Sequence, residues 1–183
     1  MLRKSLTLIL AALTCMGAAP KPAQKPAARA AKPAAAAPAH AGPLDARDPA
    51  SLIAVLSGLS AQAQVSKRDN DAVFVTVTSP TEVFSAQYAG CDAQGRNCQA
   101  LLFDRQGGEG GPPLAQLNAF NQTSVMCRIF QDKSGRPHVL YSTLLFPTDG
   151  RAELLMHVNA WRGCIGDFET FLKDPSGFLA GAA

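Results

Sequence analysis

An α+β fold, an antiparallel sheet of five or six strands with helices packed on one side, follows from three observations. The apolar period is helical at both ends of residues 44–183 and in one central stretch, and alternates by two elsewhere. The alternating segments come in pairs joined by short polar turns, which makes hairpins the natural connection. Each helical segment has one apolar face to bury, and an antiparallel sheet offers a face to receive it. The expected order is α-β-β-β(-β)-α-β-β-α.

The first helix is predicted over about 49–60. Asp48 is placed to cap it and Pro49 suits the first helical position. Leu52, Ile53, Val55, Leu56 and Leu59 form its apolar face. Val65 marks a short strand before the polar turn Asp69-Asn70-Asp71. AVFVTVTS then alternates, with Val73, Val75 and Val77 on one face. In the next strand, EVFSAQYAG, Phe84, Ala86 and Tyr88 oppose Val83, Ser85 and Gln87. The loop Cys91 to Cys98 closes a hairpin into QALLFD.

Gln106 to Pro113 (QGGEGGPP) reads as a flexible connector. It has neither the spacing of a dinucleotide loop nor a Gly-Lys-Ser/Thr phosphate cradle. A second helix starts at Pro112-Pro113, with Leu114, Leu117 and Phe120 or Asn121 sharing a face. SVMCRIFQD and PHVLYSTLLF form a hairpin around Lys133-Ser134-Gly135, and Pro137 points to an edge strand. From about Asp149 to Leu172, apolar residues recur every three or four positions. Gly163 and Gly166 interrupt that helix, at a bend or where another backbone comes close.

The chain has 183 residues and a formal charge of +3. Met1–Ala19 has the positive start, brief apolar core and small residues of a secretion signal. Residues 20–43 are nearly all Ala, Pro and Lys, a disordered polyproline-like linker. That linker holds Lys21, Lys25, Arg29 and Lys32, and no acid occurs between Arg3 and Asp45. It reads as a solvated spacer, or as a basic arm touching acidic envelope surfaces. Residues 44–183 form a single domain close to neutral, so a nucleic-acid partner is not expected. No mature segment is long and apolar enough for a transmembrane helix. The expected location is the periplasm. Cys15 fits a lipidation signal poorly, because Ala12 and Thr14 stand where Leu and a small residue are wanted; lipid anchoring there is the minority reading.

Export changes how the cysteines are read. Cys91, Cys98, Cys127 and Cys164 follow the signal, and four cysteines allow three pairings. A Cys91–Cys98 bridge fits the mouth of the hairpin loop. Cys127 with Cys164 fits if both face the core, Cys127 sharing its strand face with Val125 and Ile129. The alternative is buried free thiols.

The stretch from Phe84 to Phe171 resembles the YbjN family of bacterial proteins. The likeness lies in GCDAQGRNCQALLF, PLAQLNAFNQT, RIFQDKSGRPHVLYSTLLF and the closing DFETFL. The resemblance implies a fold similar to type III secretion chaperones, which are commonly dimers that bind extended client segments, and a role described as regulation of sensory transduction. It supplies no catalytic residues.

Chemistry read from the residues is sparse. There is no nucleophile elbow, no HExxH and no C-x-x-C. The Asp69–Asp71 cluster lacks the Gly and distant Glu of a calcium loop. His40 lies in the linker, His138 at a strand start and His157 on the last helix. The expectation is a non-enzymatic module without metal or cofactor that binds another protein by a groove or a sheet edge, with homodimerisation open. The alternatives are a periplasmic small-molecule sensor, with its pocket between sheet and helices, and an enzyme with an unrecognised centre such as Cys127–His157.

Overall fold

The computed structural model describes residues 43–182. The signal, Cys15, His40 and the linker before Pro43 lie outside the described residues. Ten elements follow in order: α1 (Pro49–Ser57), β1 (Gln62–Arg68), β2 (Ala72–Thr78), β3 (Val83–Ala89), β4 (Ala100–Gln106), α2 (Leu114–Thr123), β5 (Cys127–Gln131), β6 (Pro137–Leu144), α3 (Arg151–Lys173) and α4 (Pro175–Gly181). The six strands form one antiparallel sheet in the order β1-β2-β3-β4-β6-β5. The fold is therefore α+β with the expected order and sheet size.

Alternation sets the two faces of the sheet. Val73, Val75 and Val77 of β2, Phe84, Ala86 and Tyr88 of β3, Leu101 and Phe103 of β4, and Val139 and Tyr141 of β6 are buried together. They meet Leu154, Val158, Trp161, Ile165 and Phe168 of α3 in one core. Trp161 is fully buried, stacked on Phe103 at 5.6 Å and edge-on to Phe84 at 5.6 Å. The intervening strand residues point away from the helices.

Local chemistry explains the ends. Asp48 accepts the Ala50 N–H at 2.9 Å and Pro49 opens α1. At α3, the Glu153 carboxylate accepts the Gly150 N–H at 2.8 Å. Two hairpins share one turn, Asp92-Ala-Gln-Gly-Arg96 and Asp132-Lys-Ser-Gly-Arg136. In each the Asp side chain accepts the N–H groups two and four residues on. Gly95 and Gly135 take φ of +70° and +80°, which is why glycine stands there.

Several expectations are corrected. Pro137 does not mark an edge: β6 lies between β4 and β5. The ring is tolerated because it is the first residue of its strand, and its carbonyl still accepts the Gly107 N–H at 2.7 Å. The glycine loop is packed at its two ends and open between them, where a Cβ on Gly108 or Gly110 would meet nothing within 4 Å. A Cβ on Gly107 would lie 2.9 Å from Pro137 and 3.0 Å from Leu172, and one on Gly111 would lie 2.8 Å from the Gln131 side chain. Leu114 is exposed at the start of α2, whereas Leu117 and Phe120 are buried. Val125 precedes β5 and is exposed, so only Cys127 and Ile129 share the inner face. The helix α3 runs through Gly163 and Gly166 without a break, and a Cβ at either would meet nothing within 4 Å.

The short α4 is an addition to the expected order, which ends with the helix closing at about Leu172. Asp174 caps this helix by accepting the Gly177 N–H at 3.0 Å. A helix of seven residues does not hold alone. Phe178 docks it, 5.4 Å from Phe120 and 5.7 Å from Phe171.

Two disulfides complete the fold. Cys91–Cys98 closes the loop between β3 and β4, with the α-carbons 3.8 Å apart. Cys127–Cys164 ties β5 to α3 across 37 residues of sequence. The longer loop restrains the unfolded chain more. By chain entropy its removal costs about 4 kcal/mol, against about 2.5 kcal/mol for the short loop. Urea denaturation of Cys127→Ala/Cys164→Ala should show the larger loss of stability than Cys91→Ala/Cys98→Ala. Conversely, Gly163→Ala and Gly166→Ala should each raise stability by roughly 0.5–1 kcal/mol, read as a higher melting temperature, since helix propensity improves and nothing is displaced.

Candidate functional site

A sheet has two edges, and this chain treats them differently. At β5 the outer edge is closed. The Asn121 carboxamide of α2 donates to the Ile129 carbonyl at 2.9 Å and accepts the Ile129 N–H at 2.8 Å, as a neighbouring strand would. Ser124 Oγ accepts the Cys127 N–H at 3.1 Å, and the Gln131 side chain turns to the Pro112 carbonyl at 3.1 Å. Backbone groups that could pair with another chain are thereby engaged.

At the other edge β1 has a neighbour, β2, on one side only. Its second half carries a bulge between Val65 and Lys67, followed by the cations Lys67 and Arg68. Bulges and charged residues are the usual guards of an edge strand. The first half, Gln62–Val65, has regular register and no charge. Along it lies a groove of about 360 Å³, walled by Ile53 and Ser57 of α1, floored by Ala61–Gln64, and reaching Thr76 and Thr78 of β2. Ala63 and Val65 point toward the core side, Gln62 and Gln64 toward solvent. The surface can pair main chain to main chain and offers small apolar contacts on one side and amides on the other.

The histidines fall into two settings. His138 stands on the uncovered face, under the Phe130 ring at 4.7 Å. Its Nδ1 lies 3.1 and 3.2 Å from the Asp104 oxygens, and its Nε2 lies 3.3 Å from Gln106 Nε2 and 3.6 Å from Asp132. Hydrogen bonds from the Ser134 hydroxyl and backbone and from the Arg136 backbone hold the Asp132 carboxyl down at about 2. The partners of His138 are carboxylates and a carboxamide, and no hydroxyl or thiol is among them. Asp132 and His138 flank one hairpin, whereas Asp104 and Gln106 reach His138 only through the pairing of β4 with β6, and that part of the cluster escapes sequence reasoning.

The Cys127–His157 centre is not formed. The Cys127 sulfur is bonded to Cys164, and His157 shares a 2.8 Å hydrogen bond through Nδ1 with the Tyr141 hydroxyl. Burial lowers the His157 pKa against the pull of Asp149 and Glu153, and burial raises that of Tyr141. Between sheet and helices, where the sensor alternative places its pocket, the space is occupied by Trp161, Phe84 and Phe103. Among the described residues, no group of three or more His, Cys, Asp or Glu is placed to hold a metal ion. No helix among them is long and apolar enough to cross a membrane. Two disulfides point to an oxidising compartment.

Comparison with family models, curated proteins and solved structures returns no match for the chain. The function must be argued from the geometry above.

The buried imidazole has a pH consequence. Above about 6.5, the unfolded value, His157 is neutral in both states. As pH falls from there through the lower folded value, the unfolded chain takes up a proton that the folded chain resists, so stability is lost toward acid. His157→Gln should flatten the fall in urea midpoint between about pH 7 and pH 5; an unchanged slope would contradict the assignment.

Proposed function

We propose that the chain is a non-enzymatic, exported, YbjN-like module of the cell envelope that receives an extended segment of another protein along the free half of β1. The observation that carries this reading is the asymmetry of the edges: Asn121 occupies the β5 edge as a strand would, while Gln62–Val65 has an uncharged groove beside it. Strand addition draws affinity from main-chain hydrogen bonds and specificity from alternating side chains. Here the incoming residues facing α1 would be small and apolar, to fit beside Ile53 and Ala63. Those facing the other way would be polar, opposite Gln64 and Thr76.

The leader-like residues Met1–Ala19 and the two disulfides support a periplasmic setting. The groove is open along one side, which suits a chain lying across it better than an enclosed small molecule.

The test is capture of partners from cell-envelope extract by the mature protein and two variants. Gln62→Lys/Gln64→Lys puts two cations on the free half of β1 and should lower capture at least tenfold. Arg128→Glu, on β5, should leave it unchanged. Equal capture by all three, or loss only with Arg128→Glu, refutes the β1 site.

A further inference from the structure

The uncovered face of the sheet carries one cluster that the β1 edge does not use. It lies where Gln106 of β4 pairs with His138 of β6, beside the turn that Asp132 begins. The imidazole is fixed on two sides. Phe130 stacks on the ring at 4.7 Å, and the two oxygens of Asp104 stand 3.1 and 3.2 Å from Nδ1. A carboxylate only accepts, so Nδ1 carries the proton of the neutral ring and Nε2 keeps its lone pair.

Nε2 faces a second fixed acceptor. Oδ1 of Asp132 takes three hydrogen bonds, from the Ser134 N–H, the Ser134 hydroxyl and the Arg136 N–H. That leaves Oδ2 turned toward His138, 3.6 Å from Nε2. The Gln106 carboxamide nitrogen lies 3.3 Å from each of them. The three atoms therefore form a triangle with sides of 3.3, 3.3 and 3.6 Å. Three ligands of one tetrahedral ion, each at ~2.1 Å from the metal, stand about 3.4 Å apart. A carboxamide turned over puts its oxygen where its nitrogen stood, with no change of shape.

From this geometry we infer that His138 Nε2, Asp132 Oδ2 and the Gln106 carboxamide oxygen bind a divalent transition ion of the Zn²⁺ class, with solvent completing its shell. The imidazole nitrogen selects such an ion over Mg²⁺ or Ca²⁺. Asp104 is the positioning residue, since a carboxylate on the far ring nitrogen is the usual support of a ligating histidine. The side chains of His138 and Asp132 are 15% and 30% exposed, so an ion reaches them from solvent. Structural zinc has four protein ligands, and this site offers two of the usual kinds and one carboxamide, so its ion is exchangeable and the fold does not require it. The sequence shows no zinc spacing because Gln106 and Asp132 stand 26 residues apart. The cluster has β2 and β3 between it and β1, and owes nothing to strand addition.

The experiment is competition for Zn²⁺ between the whole mature protein and a chromogenic chelator. Wild type should bind one equivalent. His138→Phe and Asp132→Asn should each weaken binding at least tenfold, and Asp104→Asn about tenfold. His40→Ala, in the linker, should leave it unchanged. Gln106→Glu replaces the carboxamide oxygen by a carboxylate and should tighten binding about tenfold, a gain that misfolding cannot produce. No binding even at millimolar zinc, affinity that survives His138→Phe, or a Gln106→Glu variant no tighter than wild type overturns the proposal. So does loss of binding in His40→Ala, which would assign the ion to the linker.

Discussion

The packing of Trp161 against Phe84 and Phe103 is the contact on which the rest of the structure depends. A six-stranded antiparallel sheet presents two faces, and α3 covers one of them with a line of side chains centred on this indole. Aromatic pairs in such geometry add to an already large burial of apolar area. The same commitment leaves the other face uncovered and forces the chain to deal with two sheet edges. Everything that looks functional lies in what this packing leaves over.

The chain resolves its edges by different means. At β5 it commits a whole helix, with Asn121 standing in for a strand and the Cys127–Cys164 bridge fastening β5 to α3. At β1 it uses local devices, a bulge and two cations, and these protect only the second half. A chain selected merely to avoid aggregation would have little reason to leave Gln62–Val65 regular, uncharged and flanked by a groove. The buried pair of Tyr141 and His157 is, by contrast, explained as a hydrogen-bonding centre that ties β6 and α3 together.

Much of this was legible in the amino-acid sequence where the signal is local. The alternation of Val73, Val75 and Val77, the cap Asp48-Pro49 and the cysteines flanking a short loop each report on neighbours within a few residues. What was not legible depends on contacts far apart in sequence. Pro137 looked like an edge because the local rule cannot know that β5 will pair outside β6. The need for glycine at 107 and 111 was not legible, because the close approach of Pro137 to both and of Leu172 to Gly107 arises from β6 and α3. No element was expected after Leu172, because the docking of Phe178 on Phe120 and Phe171 has no signature in the tail itself. The candidate site shares this character. Asn121 and Ile129 are eight residues apart, yet their reciprocal hydrogen bonds, and hence the closure of one edge, appear only once the helix lies along the strand.

The central claim is that a partner adds to the free half of β1. Photo-crosslinking in living cells tests it most directly, with a photoreactive residue placed singly at Gln62, Gln64, Arg128 and Phe130. The account predicts a discrete protein adduct from Gln62 and Gln64 and none from the two β5 positions. Adducts from the β5 positions alone, or none from β1 in cells that make the protein at its normal level, would contradict it.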